Sequence, residues 1–260
     1  MKVFLGGARG SFPVSGPDKM RYGGDTFSLL VEGRNGEQVL IDAGSGVRQL
    51  KGRLRAGGTV FFTHTHLDHL IGLPMLSKTW PRRLILPRGG LREVLARVFS
   101  PPVWPVKLPD AEFPMPAEPM EVGGLRVGWH AVAHPDGCVA YRVDEPATGA
   151  SVVVATDVEW QMMTPRAQDA FALFARGADL LVFDSQYLPA EYAAHKGWGH
   201  STWTDAVEAA RRFGVQKLWL MHHAPGRKDA ELDALAAEAA AAFKGAVFPT
   251  VETMTEILHE

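Results

Sequence analysis

Three imidazoles and a carboxylate fall within six residues, in His64-Thr65-His66-Leu67-Asp68-His69. Both groups offer lone pairs that suit Zn2+, Mn2+ or Fe, and packing so many of them together without a use is costly. The run follows the apolar stretch Thr59–Thr63 and precedes a few helical residues that end near Pro74. Alternation along extended chain sends His64 and His66 to one side. Asp68 and His69 then turn toward a second position, so one segment can furnish two neighbouring cations.

More ligand-capable residues stand where apolar runs end. His134 follows the run ending at Ala133, Asp157 follows Val152-Val153-Val154-Ala155-Thr156, and His222 follows Leu218-Trp219-Leu220-Met221. Sites are commonly built where strands emerge and loops converge. His200, in Lys196-Gly197-Trp198-Gly199-His200-Ser201-Thr202, precedes a helix that Ser201 or Thr202 can cap. Trp198 and Trp203 flank it as packing residues or as surfaces for stacking a base. Arg9 offers either a bidentate phosphate contact or a structural ion pair.

The elements that must position these residues are legible from periodicity and turn chemistry. Strands are expected at Lys2–Leu5, Thr26–Glu32, Gln38–Asp42, Thr59–Thr63, Leu84–Leu86, Leu125–Ala133, Val139–Val143, Ser151–Ala155, Leu180–Asp184, Lys217–Met221 and Ala246–Phe248. Gly33-Arg34-Asn35-Gly36 reads as a hairpin turn. Helices are expected at Leu91–Phe99, Thr164–Arg176 with Pro165 early, Thr204–Phe213 and Asp229–Phe243. Strands dominate early and strand–helix alternation late, which fits sheets with helices outside them. Residues 100–119 carry seven prolines, which exclude regular helix. They read as an extended connector over the core or a cover beside the active site. The rest reads as one domain over residues 1–260.

Composition bounds the rest. The chain has 260 residues, 46% hydrophobic and 22% charged, with formal net charge −2, so no global basic field points to nucleic acid. Its one cysteine, Cys138, excludes an intrachain disulfide and reads as a buried small hydrophobe. The opening apolar run is too short for a signal peptide, and no stretch approaches the ~18 apolar residues that span a bilayer. A cytoplasmic protein without membrane contact is the expectation.

The ordered set His64, His66, Asp68, His69, His134, Asp157 and His222 resembles the metallo-β-lactamase superfamily. The resemblance implies an α/β (α+β) fold, a four-layer αββα sandwich with two divalent metal ions, zinc first with Mn2+ or Fe as alternatives, at one edge. By position, His64, His66 and His134 would bind the first metal and Asp68, His69 and His222 the second, with Asp157 bridging. Arg9-Gly10-Ser11, Tyr22-Gly23-Gly24-Asp25-Thr26, Gly199-His200-Ser201-Thr202 and His222-His223-x-Pro225 resemble the branch holding ribonuclease Z and cyclic-nucleotide phosphodiesterases. Asp184-Ser185-Gln186-Tyr187 also fits. Asp25 stands where those members more often carry Asn, and no Gly/Lys-rich arm for gripping transfer RNA is evident.

A metal-dependent hydrolase of a small or cyclic phosphodiester is therefore the expectation. Asp68 would accept a proton from the attacking water, and His200 would stabilise or protonate the departing oxygen. Hydrolysis of a lactone, thioester or β-lactam uses the same ligands. A tRNA 3′-processing endonuclease and a non-catalytic metal-binding sensor are further alternatives. A homodimer is expected from family analogy alone.

Overall fold

The computed structural model describes residues 1–116, 118–251 and 255–259. The first half builds one sheet. Its strands are β1 (Lys2–Gly7), β2 (Ser28–Glu32), β3 (Gln38–Ile41), β4 (Thr59–Phe61) and β5 (Arg83–Ile85), with helices α1 (Val47–Leu50) and α2 (Leu91–Val98). The second half supplies β6 (Met120–Val122), β7 (Leu125–Val132), β8 (Cys138–Glu145), β9 (Ala150–Ala155), α3 (Pro165–Ala175), β10 (Leu180–Asp184), α4 (Pro189–His195), α5 (Trp203–Phe213), β11 (Lys217–Met221), α6 (Asp229–Ala242) and β12 (Ala246–Val247). The final strand β13 (Thr255–Ile257) returns to pair with β1. The sheet orders are β13-β1-β2-β3-β4-β5 and β12-β11-β10-β9-β8-β7-β6.

The expected αββα sandwich is what forms, and side-chain alternation explains it. In β2, Leu29 and Val31 face the apolar layer between the sheets, while Leu30 faces the outer layer with α1 and α2. In β10, Leu180 and Val182 face the partner sheet, while Leu181 and Phe183 meet α3, α5 and α6. Strands buried on both faces read as continuous apolar runs, as these do. Caps fix the helices. The Thr164 side chain accepts from the Ala167 N–H with Pro165 at the first turn, and Thr202 accepts from the Asp205 N–H. Gly214, at φ 69°, closes α5.

Several boundaries move for physical reasons. The strand expected at Thr59–Thr63 stops at Phe61, because the Thr63 N–H donates to the Asp42 carboxylate (2.8 Å) rather than to a neighbouring strand. Single 3-10 turns at Leu67–His69 and Leu73–Leu76 replace the helical stretch after the histidine run. Within residues 100–119, Ala117 lies outside the described residues. Glu112 exchanges backbone hydrogen bonds with Arg82 and Leu84, and Trp104, Leu108 and Phe113 pack on the outer apolar layer of the first sheet. The segment thus runs along the β5 edge. No described helix is long and apolar enough to cross a membrane.

Candidate metal centre

The candidate site residues gather in loops at one edge of the sandwich, most of them just past a strand. Asp42 follows β3, His64 follows β4, His134 follows β7, Asp157 follows β9 and His222 follows β11. Asp42, Asp157 and His222 all adopt left-handed backbone, at φ 57°, 55° and 62°. Such a conformation costs a non-glycine residue roughly 1 kcal/mol or more and persists where surrounding contacts over-determine it. Here it turns each side chain sharply inward from the strand end.

The inward groups form two sets. His64, His66 and His134 form one, and Asp68, His69, Asp157 and His222 the other, each with its ligand-capable atoms within 4.8 Å of one another. Asp157 faces both. Its Oδ2 lies 3.1 Å from His69 Nε2 and 3.2 Å from His222 Nε2, and its Oδ1 lies 3.7 Å from His64 Nε2 and 3.9 Å from His134 Nε2. His66 Nδ1 is 3.2 Å from His134 Nε2. Ligands at about 2.0–2.1 Å from a tetrahedral cation stand about 3.4 Å apart, so these separations suit one shared ion per set.

Outer hydrogen bonds fix which nitrogen faces inward. His69 Nδ1 donates to Asp42 (2.9 Å), and His134 Nδ1 donates to the Gly199 carbonyl (2.8 Å). Thr63 Oγ1 donates to Asp42 (2.7 Å) and so accepts from His64 Nδ1 (3.0 Å). Each arrangement leaves an Nε2 lone pair aimed at the cluster, the pattern that orients metal-binding histidines. The Nε2 atoms of His64, His69 and His222 are buried without a hydrogen-bond partner. Orphaned buried acceptors cost about 1–3 kcal/mol each, and cations between them would remove that penalty. The residues therefore fit two divalent ions.

Electrostatics match this arrangement. Burial pushes His64 well below the ordinary imidazole value, and the charge on His69 pushes the same way. Burial also lowers His134. Burial opposes charging of His69 too, but Asp157, Asp68 and Asp42 outweigh it and hold that ring well above its ordinary value. His222 is raised by Asp157 and Asp68 against the same penalty. Burial would raise Asp68, yet the charge on His69 and the close approach of the His222 and His69 rings (3.5 and 3.2 Å) carry it well below the carboxylate range. Without cations the acids thus draw His69 and His222 toward their charged form, and a cation at Nε2 would take the place of that proton.

His200 sits beside both sets, 8% exposed, donating from Nδ1 to Asp184 Oδ2 (2.7 Å). Arg9 takes the structural alternative. It is fully buried and donates to the carbonyls of Gly23 and Arg227 (both 2.8 Å), which ties the N-terminal loop to the loop after His222. Asp25 accepts from Ser45, Arg48 and Gln49 and so braces α1. Cys138 is buried beside His64. Trp203 packs on the outer, helix-facing apolar layer of the second sheet, whereas Trp198 is exposed.

Sequence reasoning gave no role to Asp42, Asp184 or Glu159. Asp42 signals itself weakly, as an acid ending an apolar strand before Ala43-Gly44-Ser45-Gly46. Glu159 is buried and accepts from the Tyr192 hydroxyl (2.8 Å) and from the N–H groups of Gly197 (2.7 Å) and Gly199 (2.8 Å). It thereby holds the loop whose carbonyl orients His134.

A family model described as "Beta-lactamase superfamily domain" matches residues 37–223, most of the chain and all the residues of both sets. The chain belongs to the beta-lactamase superfamily. As a member, it is a metal-dependent hydrolase. Among curated proteins, ribonuclease Z of Agathobacter rectalis is 25% identical over 244 residues, covering 74% of this chain and 80% of that protein. Among solved structures, the metallo-beta-lactamase fold protein YhfI from Bacillus subtilis superposes with a TM-score of 0.72 at 19% identity, covering 98% and 99% of the two chains. A diphosphatase from the PhnP family gives 0.72 at 18% identity over 99% and 97%. The two structures establish likeness of fold.

Proposed function

We propose that this superfamily member hydrolyses small phosphodiesters with two divalent cations, zinc for preference, held by His64, His66 and His134 on one side and Asp68, His69 and His222 on the other. Asp157 lies between them. The observation that carries the reading is the division of Asp157, one oxygen toward each set at 3.1–3.9 Å. Nitrogen and oxygen donors alone suit Zn2+, and also Mn2+ or Fe. Bound there, the cations would lower the pKa of a water and offset phosphate charge.

The chain's own groups supply the rest. The Ser11 N–H donates to Asp68 Oδ2 (2.9 Å) and fixes that carboxylate. As a carboxylate, Asp68 can accept a proton from attacking water and, being a weak base, must pass it on. His200 has Nδ1 committed to Asp184, so its Nε2 can donate toward a departing oxygen when the ring carries its second proton, a charge that the Asp184 carboxylate offsets. A ribonuclease and a diphosphatase both cleave bonds at phosphorus, which supports phosphorus over carbon as the reacting centre.

Zinc-reconstituted protein is expected to turn over bis-p-nitrophenyl phosphate, and more slowly or not at all a lactone or nitrocefin. Lactone turnover without diester turnover overturns the proposal. The ribonuclease Z relatives favour a second reading, cleavage of precursor tRNA. Tight, salt-sensitive binding of precursor tRNA would establish it over the small substrate.

A further inference from the structure

Three large apolar side chains stand in water around the candidate centre. Phe12, Leu67 and Trp198 are 58%, 55% and 61% exposed. They come from three separate segments, and each is tied closely to the cluster. Leu67 lies between His66 and Asp68 on the 3-10 turn. Phe12 follows Ser11, whose N–H holds Asp68, and its own N–H closes a tight turn onto the Gly10 carbonyl (2.7 Å). Gly10 is packed so closely that a Cβ there would lie 2.4 Å from the His222 ring.

Trp198 is held firmly despite its exposure. Glu159 binds the N–H of the residue on either side, Gly197 and Gly199. The indole meets the His195 ring edge-to-face at 5.0 Å, His195 stacks on Tyr187 at 4.3 Å, and Tyr187 meets His200 edge-to-face at 5.9 Å. A line of rings thus runs from the candidate proton donor to an exposed indole. An exposed aromatic on a pinned backbone loses little freedom when a flat group covers it, so stacking there is little opposed by ordering.

Three arginines on the loops around the centre are otherwise engaged. Arg9 is buried on backbone carbonyls, Arg88 donates to the carbonyls of Asp136 and Gly137, and Arg227 pairs with Glu191 at 2.6 Å. Lys196 is exposed beside Trp198 and supplies one charge, enough for one phosphate.

We infer that Phe12, Leu67 and Trp198 form a specificity rim that receives a flat aromatic group, a nucleobase or a simple aryl, carried by the small phosphodiester. The inference rests on the phosphodiesterase reading and names the non-phosphate part of its substrate. The rim acts on the group that stays beside the metals, not on the bond that breaks.

Bis-p-nitrophenyl phosphate and methyl p-nitrophenyl phosphate share a leaving group and differ in the flanking group, so the ratio of their kcat/KM values isolates the rim. Intrinsic reactivity cancels when wild type is compared with Phe12→Ala/Trp198→Ala. The variant is expected to lower that ratio by roughly 5- to 150-fold, the usual worth of one stacked ring, with methyl-ester turnover changed by less than about threefold. 2′,3′-Cyclic AMP losing turnover alongside the bis-aryl ester identifies a nucleobase; the bis-aryl ester alone losing it identifies a simple aryl. An unchanged ratio overturns the inference, as does an equal fall for both esters. So does an unchanged ratio with a shifted monomer–dimer equilibrium, which makes the rim an interface between copies. If wild type hydrolyses neither ester, the phosphodiesterase reading has failed and calorimetric titration decides the rim. Phenylphosphonate binding no tighter than methylphosphonate, or tighter equally in the variant, rejects it. Tighter binding in wild type alone retains it.

Discussion

Replacing Glu159 by alanine tests the idea that a residue outside both ligand sets holds the centre in register. Its carboxylate accepts from three neutral donors, the Tyr192 hydroxyl and the Gly197 and Gly199 N–H groups. Gly197 lies at the surface and can recruit water, so two bonds count fully. Hydrogen bonds to a charged acceptor contribute about 1.5–3 kcal/mol each, so the gross loss is about 3–6 kcal/mol. Removing a buried carboxylate that has only neutral partners relieves part of its desolvation penalty, which brings the net loss to about 2–4 kcal/mol. That is a large share of the 5–15 kcal/mol typical of a folded domain. The freed Gly199 carbonyl no longer fixes His134 Nδ1, so zinc affinity of the first set should fall about 10- to 100-fold. Glu159→Gln should behave differently. The amide oxygen can serve Gly199, the amide NH2 can face the Tyr192 oxygen, and only the bond to Gly197 is lost. The loss should then be about 1 kcal/mol, with zinc affinity within about threefold of wild type. Urea unfolding and zinc titration against a chromophoric chelator read both quantities. The reasoning fails if alanine matches wild type in stability and affinity, or if glutamine is as damaging as alanine.

Further expectations follow from the same geometry. His66 has a side chain 40% exposed, so His66→Ala should change unfolding by less than about 1 kcal/mol while metal analysis finds fewer than two ions and hydrolysis is lost; unchanged metal content and activity would end the two-metal reading. Gly10→Ala places a methyl 2.4 Å from His222 and 2.5 Å from Gln186 Oε1. It should cost about 1–3 kcal/mol and lower hydrolysis more than tenfold with the circular dichroism retained; wild-type turnover would show that the loop yields freely. Burial holds the His223 ring well below the ordinary imidazole value, and Arg9 adds to the effect. The unfolded chain therefore binds that proton first as pH falls, so this contribution is constant above about pH 6.5 and is lost below it, at up to about 1.4 kcal/mol per pH unit. Metal-free His223→Leu should show a shallower loss of stability from pH 6.5 to 5 than wild type in urea melts, and equal slopes would refute the assignment.

The residues that gather in the candidate centre were legible in the sequence because ligand types are rare side chains at strand ends, and strands announce themselves by apolar runs. His64, His66, Asp68 and His69 stand within one turn of chain, and alternation already divides them between two directions. Sheets with helices outside them also follow from the sequence, through strands apolar on both faces and helices apolar on one, while the four-layer count came from the resemblance. Only tertiary structure decided what holds the rings still. Asp42 reaches His69 across 27 residues, Gly199 reaches His134 across 65, and Asp184 reaches His200 across 16. None of these bonds has a sequence period, since each depends on how two sheets and their loops meet. Arg9 shows the same limit. Its type allows a phosphate contact or a structural role equally, and full burial against the carbonyls of Gly23 and Arg227 selects the second. Residue type limits which chemistry is available, and packing determines which atoms face one another to perform it.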